Sequence, residues 1–172
     1  RMGKSWHSPK TGNLNLSIAF RPNVNLIKLR TFTLWQGICI ARKLRTLTGN
    51  EDISVKWPND VVVNGKKIAG MLTEASIDSE RVRSLVFGIG ININSVSSQF
   101  PKPISNLSIS LSDLVGKNFR VHEIAANFIS VILDGYNQCI EGLPNHELMK
   151  SWNELDALRD QNIKITKGRE KI

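Results

Sequence analysis

The sequence predicts an α+β fold, a mainly antiparallel sheet with helices on the outside, and three observations predict it. Asn64-Gly65 stands between two apolar runs, the strongest short-range signal for a two-residue hairpin. Short alternating segments crowd the stretch from Ile53 to Ile93. Two longer stretches, one on each side of that region, repeat their apolar residues at helical spacing.

Taken in order, residues 1–12 are polar and rich in Gly, Ser and Pro, which reads as loop. Asn13 to Phe20 alternates, with Leu14, Leu16, Ile18 and Phe20 on one side, so a half-buried strand is expected. From Leu26 to Leu47 the spacing predicts a helix whose stripe is Leu34, Ile38, Ala41 and Leu44, with Trp35 and Ile40 beside it. Thr48-Gly49-Asn50 stops it. Strands follow at Ile53–Trp57, Val61–Val63, Lys67–Ala75 and Ser84–Ile93. His122 to Ile140 is a second amphipathic helix, with Ile124, Phe128, Val131 and Ile132 toward the core and Gly142 as its stop. A short third helix begins near Asn145, whose amide is expected to cap it. Asn162–Thr166 alternates once more.

With 172 residues and 41% hydrophobic content, the chain can bury one real core. No apolar run approaches the roughly 20 residues a membrane helix needs. Cys39 and Cys139 fall in helical patterns and make no disulfide framework, which fits a reducing cytoplasm. The net charge of +8 is uneven: no Asp or Glu precedes Glu51, whereas Arg1, Lys4, Lys10, Arg21, Lys28, Arg30, Arg42, Lys43 and Arg45 do. A segment of one sign suits an anionic partner such as a nucleotide, an acidic protein or nucleic acid, although for most of these residues a solvated basic face is the simpler reading.

Several motifs are excluded. Gly3-Lys4-Ser5 is no phosphate-binding P-loop, because Pro9 and Thr11-Gly12-Asn13 deny the helix that must follow. Gly88-Ile89-Gly90 is no dinucleotide fingerprint, since Ile93 stands where the third glycine belongs and no helix follows. His7, His122 and His146 have no metal-ligand partners at suitable spacing. Pro58 interrupts the sheet after Lys56-Trp57 and leaves Asn59-Asp60 at the break, where side chains can face a ligand or simply form a turn. Lys67 stands inside a strand and must face solvent or meet an anion, because an unpaired buried charge is costly. Glycines inside strands, as at Gly70, Gly88 and Gly90, mark a bulge, a strand crossing or the close approach of a ligand.

In this order Lys56-Trp57-Pro58-Asn59-Asp60, Lys67-Ile68-Ala69-Gly70-Met71-Leu72-Thr73-Glu74 and Gly88-Ile89-Gly90-Ile91-Asn92-Ile93-Asn94 resemble the core of biotin–protein ligases, which attach biotin to a carrier lysine. The likeness continues in Arg1 to Pro9, in Ser108-Ile109-Ser110-Leu111 and in Trp152 to Asp156. It implies a mixed, mainly antiparallel sheet of the biotin/lipoate ligase and class II synthetase type. Residues 1–156 would be the catalytic biotin- and ATP-binding domain, and 157–172 the start of a C-terminal SH3-like barrel, with the chain truncated at both ends.

The resemblance also implies a site. Lys67 and Asp60 would be catalytic: Lys67 stabilises charge as the biotin carboxylate attacks the α-phosphate of ATP, and Asp60 handles Mg²⁺ or a proton. Arg1, Trp6, Lys67, Gly70, Leu72, Gly88 and Gly90 would bind biotin. Lys4, Trp6, Lys56, Asn59, Lys67 and Asn92 would bind ATP. Strict alternation, however, puts Lys67 on the face opposite Gly70 and Leu72, so a bulge or twist is required for them to meet. The implied partner is a biotin carboxyl carrier domain of acetyl-CoA carboxylase or a related carboxylase. A homodimer is possible, and nucleic acid enters only with an N-terminal winged helix. A lipoate or octanoate ligase of the same fold, and a non-catalytic biotin- or nucleic-acid-binding fragment, are the alternatives.

Overall fold

The computed structural model describes residues 12–96, 100, 102–163, 166–167 and 170–171. Six strands form one sheet: β1 (Leu14–Phe20), β2 (Val24–Asn25), β3 (Ile53–Lys56), β4 (Asp60–Val63), β5 (Lys66–Asp78) and β6 (Arg81–Ile91). The order across it is β1-β6-β5-β4-β3, with β2 also on β6, and the paired strands are antiparallel. Two isolated parallel bridges, Val55 to Asp156 and Lys67 to Ser108, make the sheet mixed. Asn64 and Gly65 have φ of 49° and 74°, as the two central residues of the predicted hairpin turn require.

One face of this sheet is the core. Leu14 and Phe20 of β1, Leu85, Phe87, Ile89 and Ile91 of β6, and Ala69 and Met71 of β5 are buried there. Two helices lie across it: α1 (Phe32–Thr48) and α4 (Val121–Glu141). On α4 the buried residues are Ile124, Phe128, Ile132, Gly135 and Cys139, spaced three or four apart as one helical face demands. Four aromatic rings join the layers. Phe20 of β1 stacks on Tyr136 of α4 at 4.1 Å, and Phe32 of α1 meets Phe87 of β6 edge-on at 5.4 Å. Short helices α2 (Lys102–Ser105) and α3 (Leu111–Val115) follow β6, and α5 (Asn145–Leu155) packs on α1 and β3. Beyond it, β7 (Thr166–Lys167) pairs with β8 (Glu170–Lys171).

Several expectations need correction. The first helix starts at Phe32, not Leu26, because Val24–Asn25 joins β6 and Asn25 caps a 3-10 turn over Leu26–Lys28. Val131 is only half-buried, and the core line passes through Ile132, Gly135 and Cys139. Pro144, not Asn145, occupies the N-cap of α5, and no side chain caps that end. Residues 161–163 are not strand, so the alternation at 162–166 was misleading there. The core also uses glycines that periodicity does not reveal. A Cβ on Gly37 would approach Val55 Cγ1 to 3.1 Å and Met71 Cε to 3.3 Å, so this glycine lets α1 settle on the sheet.

Candidate functional site

Among the described residues the other face of the sheet carries no helix core, and the register decides who stands on it. Gly70 pairs with Gly90 and Leu72 with Gly88. Across β6, Gly90 pairs with Asn15 and Gly88 with Ser17. On the opposite flank, Asp60 pairs with both Gly70 and Lys56. Paired residues point to the same side, so Lys56, Asp60, Gly70, Leu72, Gly88, Gly90, Asn15 and Ser17 share one surface.

Lys67 joins them through a bulge. Val61 pairs with Ala69, but the next residue, Val62, pairs with Lys67, leaving Ile68 as an extra residue on β5. The extra residue inverts the alternation, and Lys67 emerges on the face of Val62 and Asp60. Its Nζ then lies 2.6 Å from Asp60 Oδ1, with the two side chains 32% and 30% exposed. Both groups therefore remain within reach of a ligand, and their attraction is partly screened by water. The main chain of Lys67 is fixed on the other side: its N–H donates to the Leu107 carbonyl at 2.7 Å and its carbonyl accepts from Ile109 N–H at 3.0 Å.

Asn59 secures the neighbouring turn. Its amide donates to the Met71 carbonyl, and its own carbonyl accepts from Met71 N–H at 2.9 Å. Trp57 beside it is 62% exposed and Leu72 is 45% exposed. Among the described residues, a Cβ added at Gly88 would meet Ser17 Oγ at 3.6 Å and the Leu72 carbonyl at 3.8 Å, both ordinary contacts. Toward β3 the same face continues into an open depression of about 330 Å³ lined by Asp52, Ser54, Lys56, Val62, Asn64, Gly65, Ala157 and Leu158.

The expected residues divide into three groups. Lys56, Asp60, Lys67, Gly70, Leu72, Gly88 and Gly90 are brought together, with Asn59 at the edge of the group. Asn92 is not on the open surface: it is 3% exposed, and its amide nitrogen donates to the carbonyls of Lys67 (3.3 Å) and Ile109 (3.1 Å). Arg1, Lys4 and Trp6 lie outside the described residues. The sequence reading did not name Asn15 and Ser17, which share this face. Their outward direction was legible in the alternation of β1, but which strand they pair with was not. Among the described residues no three His, Cys, Asp or Glu side chains gather as a metal site, and no helix is long and apolar enough to cross a membrane.

A profile of the biotin/lipoate A/B protein ligase family matches residues 1–92. The chain belongs to this family. Within the biotin/lipoate ligase family it is 37% identical over 117 residues to the "Bifunctional ligase/repressor BirA" of Bacillus spizizenii, covering 68% of this chain and 36% of that protein. It is 29% identical to the protein of the same name from Escherichia coli, over all of this chain and 52% of that one. The chain therefore spans only about a third to a half of these curated relatives' length. Among solved structures it is similar to a biotin protein ligase from Aquifex aeolicus in complex with biotin and ATP. There the TM-score is 0.80 at 26% identity, over all of this chain and 69% of that one. The likeness in fold extends to the Leishmania major biotin protein ligase, at a TM-score of 0.69 and 19% identity.

Proposed function

We propose that this chain is the catalytic part of an enzyme that joins biotin to a lysine of a carboxyl carrier protein, by way of biotinyl-AMP. One observation carries the reading: the bulge at Ile68 sets Lys67 beside Asp60, on the same face as Gly70, Leu72, Gly88 and Gly90. Membership of the family and the Aquifex relative's complex with biotin and ATP support it.

In the first half-reaction a biotin carboxylate oxygen attacks the α-phosphorus of ATP, and the bond to the departing pyrophosphate breaks. Negative charge builds on the phosphoryl oxygens, and the ammonium of Lys67, held by a rigid strand, is placed to stabilise it. Lys56 adds positive charge to the same face. The side-chain-free strip at Gly70, Gly88 and Gly90 suits the flat ureido ring, and Leu72 supplies an apolar wall. In the second half-reaction the ε-amine of the carrier lysine attacks the mixed-anhydride carbonyl, the bond to AMP breaks, and the amine loses a proton. Asp60 stands where a carboxylate can take that proton.

Mg²⁺ would accompany the phosphates of ATP, with Asp60 as the candidate protein ligand. The described carboxylates are too sparse to hold the ion alone, and Mg²⁺ characteristically binds through one or two carboxylates plus substrate phosphates. Arg1, Lys4 and Trp6 would bind the ligands, and residues 157–172 would open a C-terminal barrel. The carrier would be the biotin domain of acetyl-CoA carboxylase or a related carboxylase, as the name of the Paracoccus denitrificans relative, "Biotin--[acetyl-CoA-carboxylase] ligase", suggests.

The test is intact-mass spectrometry of a carrier domain incubated with the full-length protein, biotin and MgATP. The expected result is a gain of one biotinyl group. Lys67→Ala should slow it about 100-fold or more, the range for removing one preorganised charge-stabilising donor. Modification by lipoate in preference to biotin would move the reading to the other branch of the family. No modification by either would end it.

A further inference from the structure

We infer that Asn13 is a positioning residue for the nucleotide half of the site: its side chain clamps the turn after β6 and orients the buried amide of Asn92. The inference deepens the adenylation reading and rests on it for the role of Asn92 toward ATP.

The β1–β6 ladder ends where Leu14 pairs with Ile91. Past that point the chain turns, and the start of α3 holds it on one side. The N–H groups of Leu111 and Ser112 donate to the carbonyls of Asn92 and Ile93 at 3.0 and 2.8 Å. Asn94 adds a reciprocal link, its side chain donating to the Phe119 carbonyl and accepting from Phe119 N–H, both at 2.8 Å. On the β1 side the Gly12 carbonyl accepts from Asn94 N–H at 2.7 Å, and Asn13 contributes its side chain. Asn13 Oδ1 accepts from Ile93 N–H at 3.0 Å and from Ser95 Oγ–H at 2.8 Å. Ile93 and Ser95 are 0% and 2% exposed, so neither donor can fall back on bulk water.

Two independent sets of bonds fix how the two amides face each other. With Oδ1 of Asn13 committed to Ile93 and Ser95, its Nδ2 turns toward Asn92. Asn92 Nδ2 is committed to the carbonyls of Lys67 and Ile109 at 3.3 and 3.1 Å, which leaves its Oδ1 toward Asn13. The two meet donor to acceptor at 3.5 Å. Inverting either amide would press Oδ1 against carbonyl oxygens or Nδ2 against other donors. At that length the contact orients Asn92 more than it holds it. Asn92 is 3% exposed and touches the main chain of Lys67, the lysine proposed to meet the α-phosphate, so a swing of its amide disturbs the nucleotide side of the face.

The experiment uses the full-length protein with Asn13→Asp and Asn13→Ala, each with Asn92 intact and with Asn92→Ala. KM for ATP in single-turnover formation of biotinyl-AMP at saturating biotin, affinity for biotin alone, and thermal melting are measured. Asn13→Asp separates the two roles, because a carboxylate still accepts from Ile93 and Ser95 but has no donor for Asn92 Oδ1. It should melt within about 4 °C of the wild type. Its KM for ATP should rise about 3- to 10-fold, the worth of one hydrogen bond, with biotin affinity within about twofold. Asn13→Ala should show the same rise and a lower melting temperature, and neither variant should raise KM further in the Asn92→Ala background. A wild-type KM in Asn13→Asp, an equal loss of biotin affinity, or losses that add to those of Asn92→Ala would overturn the inference while leaving the adenylation reading intact. If one variant does not melt cooperatively, the cycle with the other decides. Wild type that makes no biotinyl-AMP ends the adenylation reading, and the inference with it.

Discussion

Replacing Gly88 by alanine should move stability and ligand binding in opposite directions. The new methyl would sit 3.6 Å from Ser17 Oγ and 3.8 Å from the Leu72 carbonyl, both ordinary contacts, so the described residues leave room for it. A glycine inside a strand costs roughly 0.5–1 kcal/mol relative to alanine, and the variant should recover that amount. For a domain of this size the gain corresponds to a melting temperature higher by about 1–4 °C. The same methyl rises from the floor of the candidate ligand face, between Ser17 and Leu72. A ring lying on that floor would be lifted or strained, and overpacking a fitted site costs about 1–3 kcal/mol. Affinity for biotin should therefore fall about 5- to 150-fold. Calorimetric melting and titration with biotin, both on the full-length protein, measure the two effects. A lower melting temperature would refute the space assigned above Gly88, and unchanged affinity would refute its place beneath the ligand.

Three further outcomes are expected. Gly135→Ala should destabilise by about 1 kcal/mol instead of gaining helix propensity, because its Cβ would fall 2.9 Å from Gln36 Nε2, a buried donor bonded to the Ile132 carbonyl, while Gln36 Oε1 already lacks a partner; combining it with Gln36→Ala should restore the gain, as chemical denaturation would show. Burial pushes the thiols of Cys39 and Cys139 up to about 12 and about 11, so neither should react quickly with an aromatic disulfide reagent at pH 8 until the protein is unfolded. The hydrogen bond from Arg83 holds the Asp78 carboxyl below the ordinary range, so its stabilisation is present above the usual carboxylate pKa of about 3.9 and disappears as pH falls through the lower folded value. Asp78→Asn should accordingly melt below the wild type at pH 7 and alongside it in strong acid, as paired melting curves would test.

Much of the architecture was legible in the residues because local chemistry dictated it. Asn64-Gly65 forced a tight hairpin through its need for positive φ, and the four-residue spacing of Ile124, Phe128 and Ile132 forced a helix with one buried face. The residues before Phe32 misled, since a helical apolar pattern from Leu26 onward was outweighed by the pairing of Val24–Asn25 with β6. That pairing is a contact across 56 or more positions of sequence, invisible to any local window.

The candidate site was legible as a set of residue types but not as a surface. Charge cost alone required Lys67 to meet water or an anion, and the resemblance to biotin–protein ligases implied Asp60, Gly70, Gly88 and Gly90 as its company. Alternation, the only directional rule a sequence offers for a strand, placed Lys67 on the wrong side. Tertiary structure decided otherwise: Ile68 is taken up as an extra residue where the pairing with β6 ends and the segment 107–109 meets the main chain of Lys67. Hydrophobic periodicity is a property of neighbours along the chain and fixes which elements form. The direction of the Lys67 side chain depends instead on strand pairing and hydrogen bonds between segments far apart in the sequence, and only the folded chain brings those together.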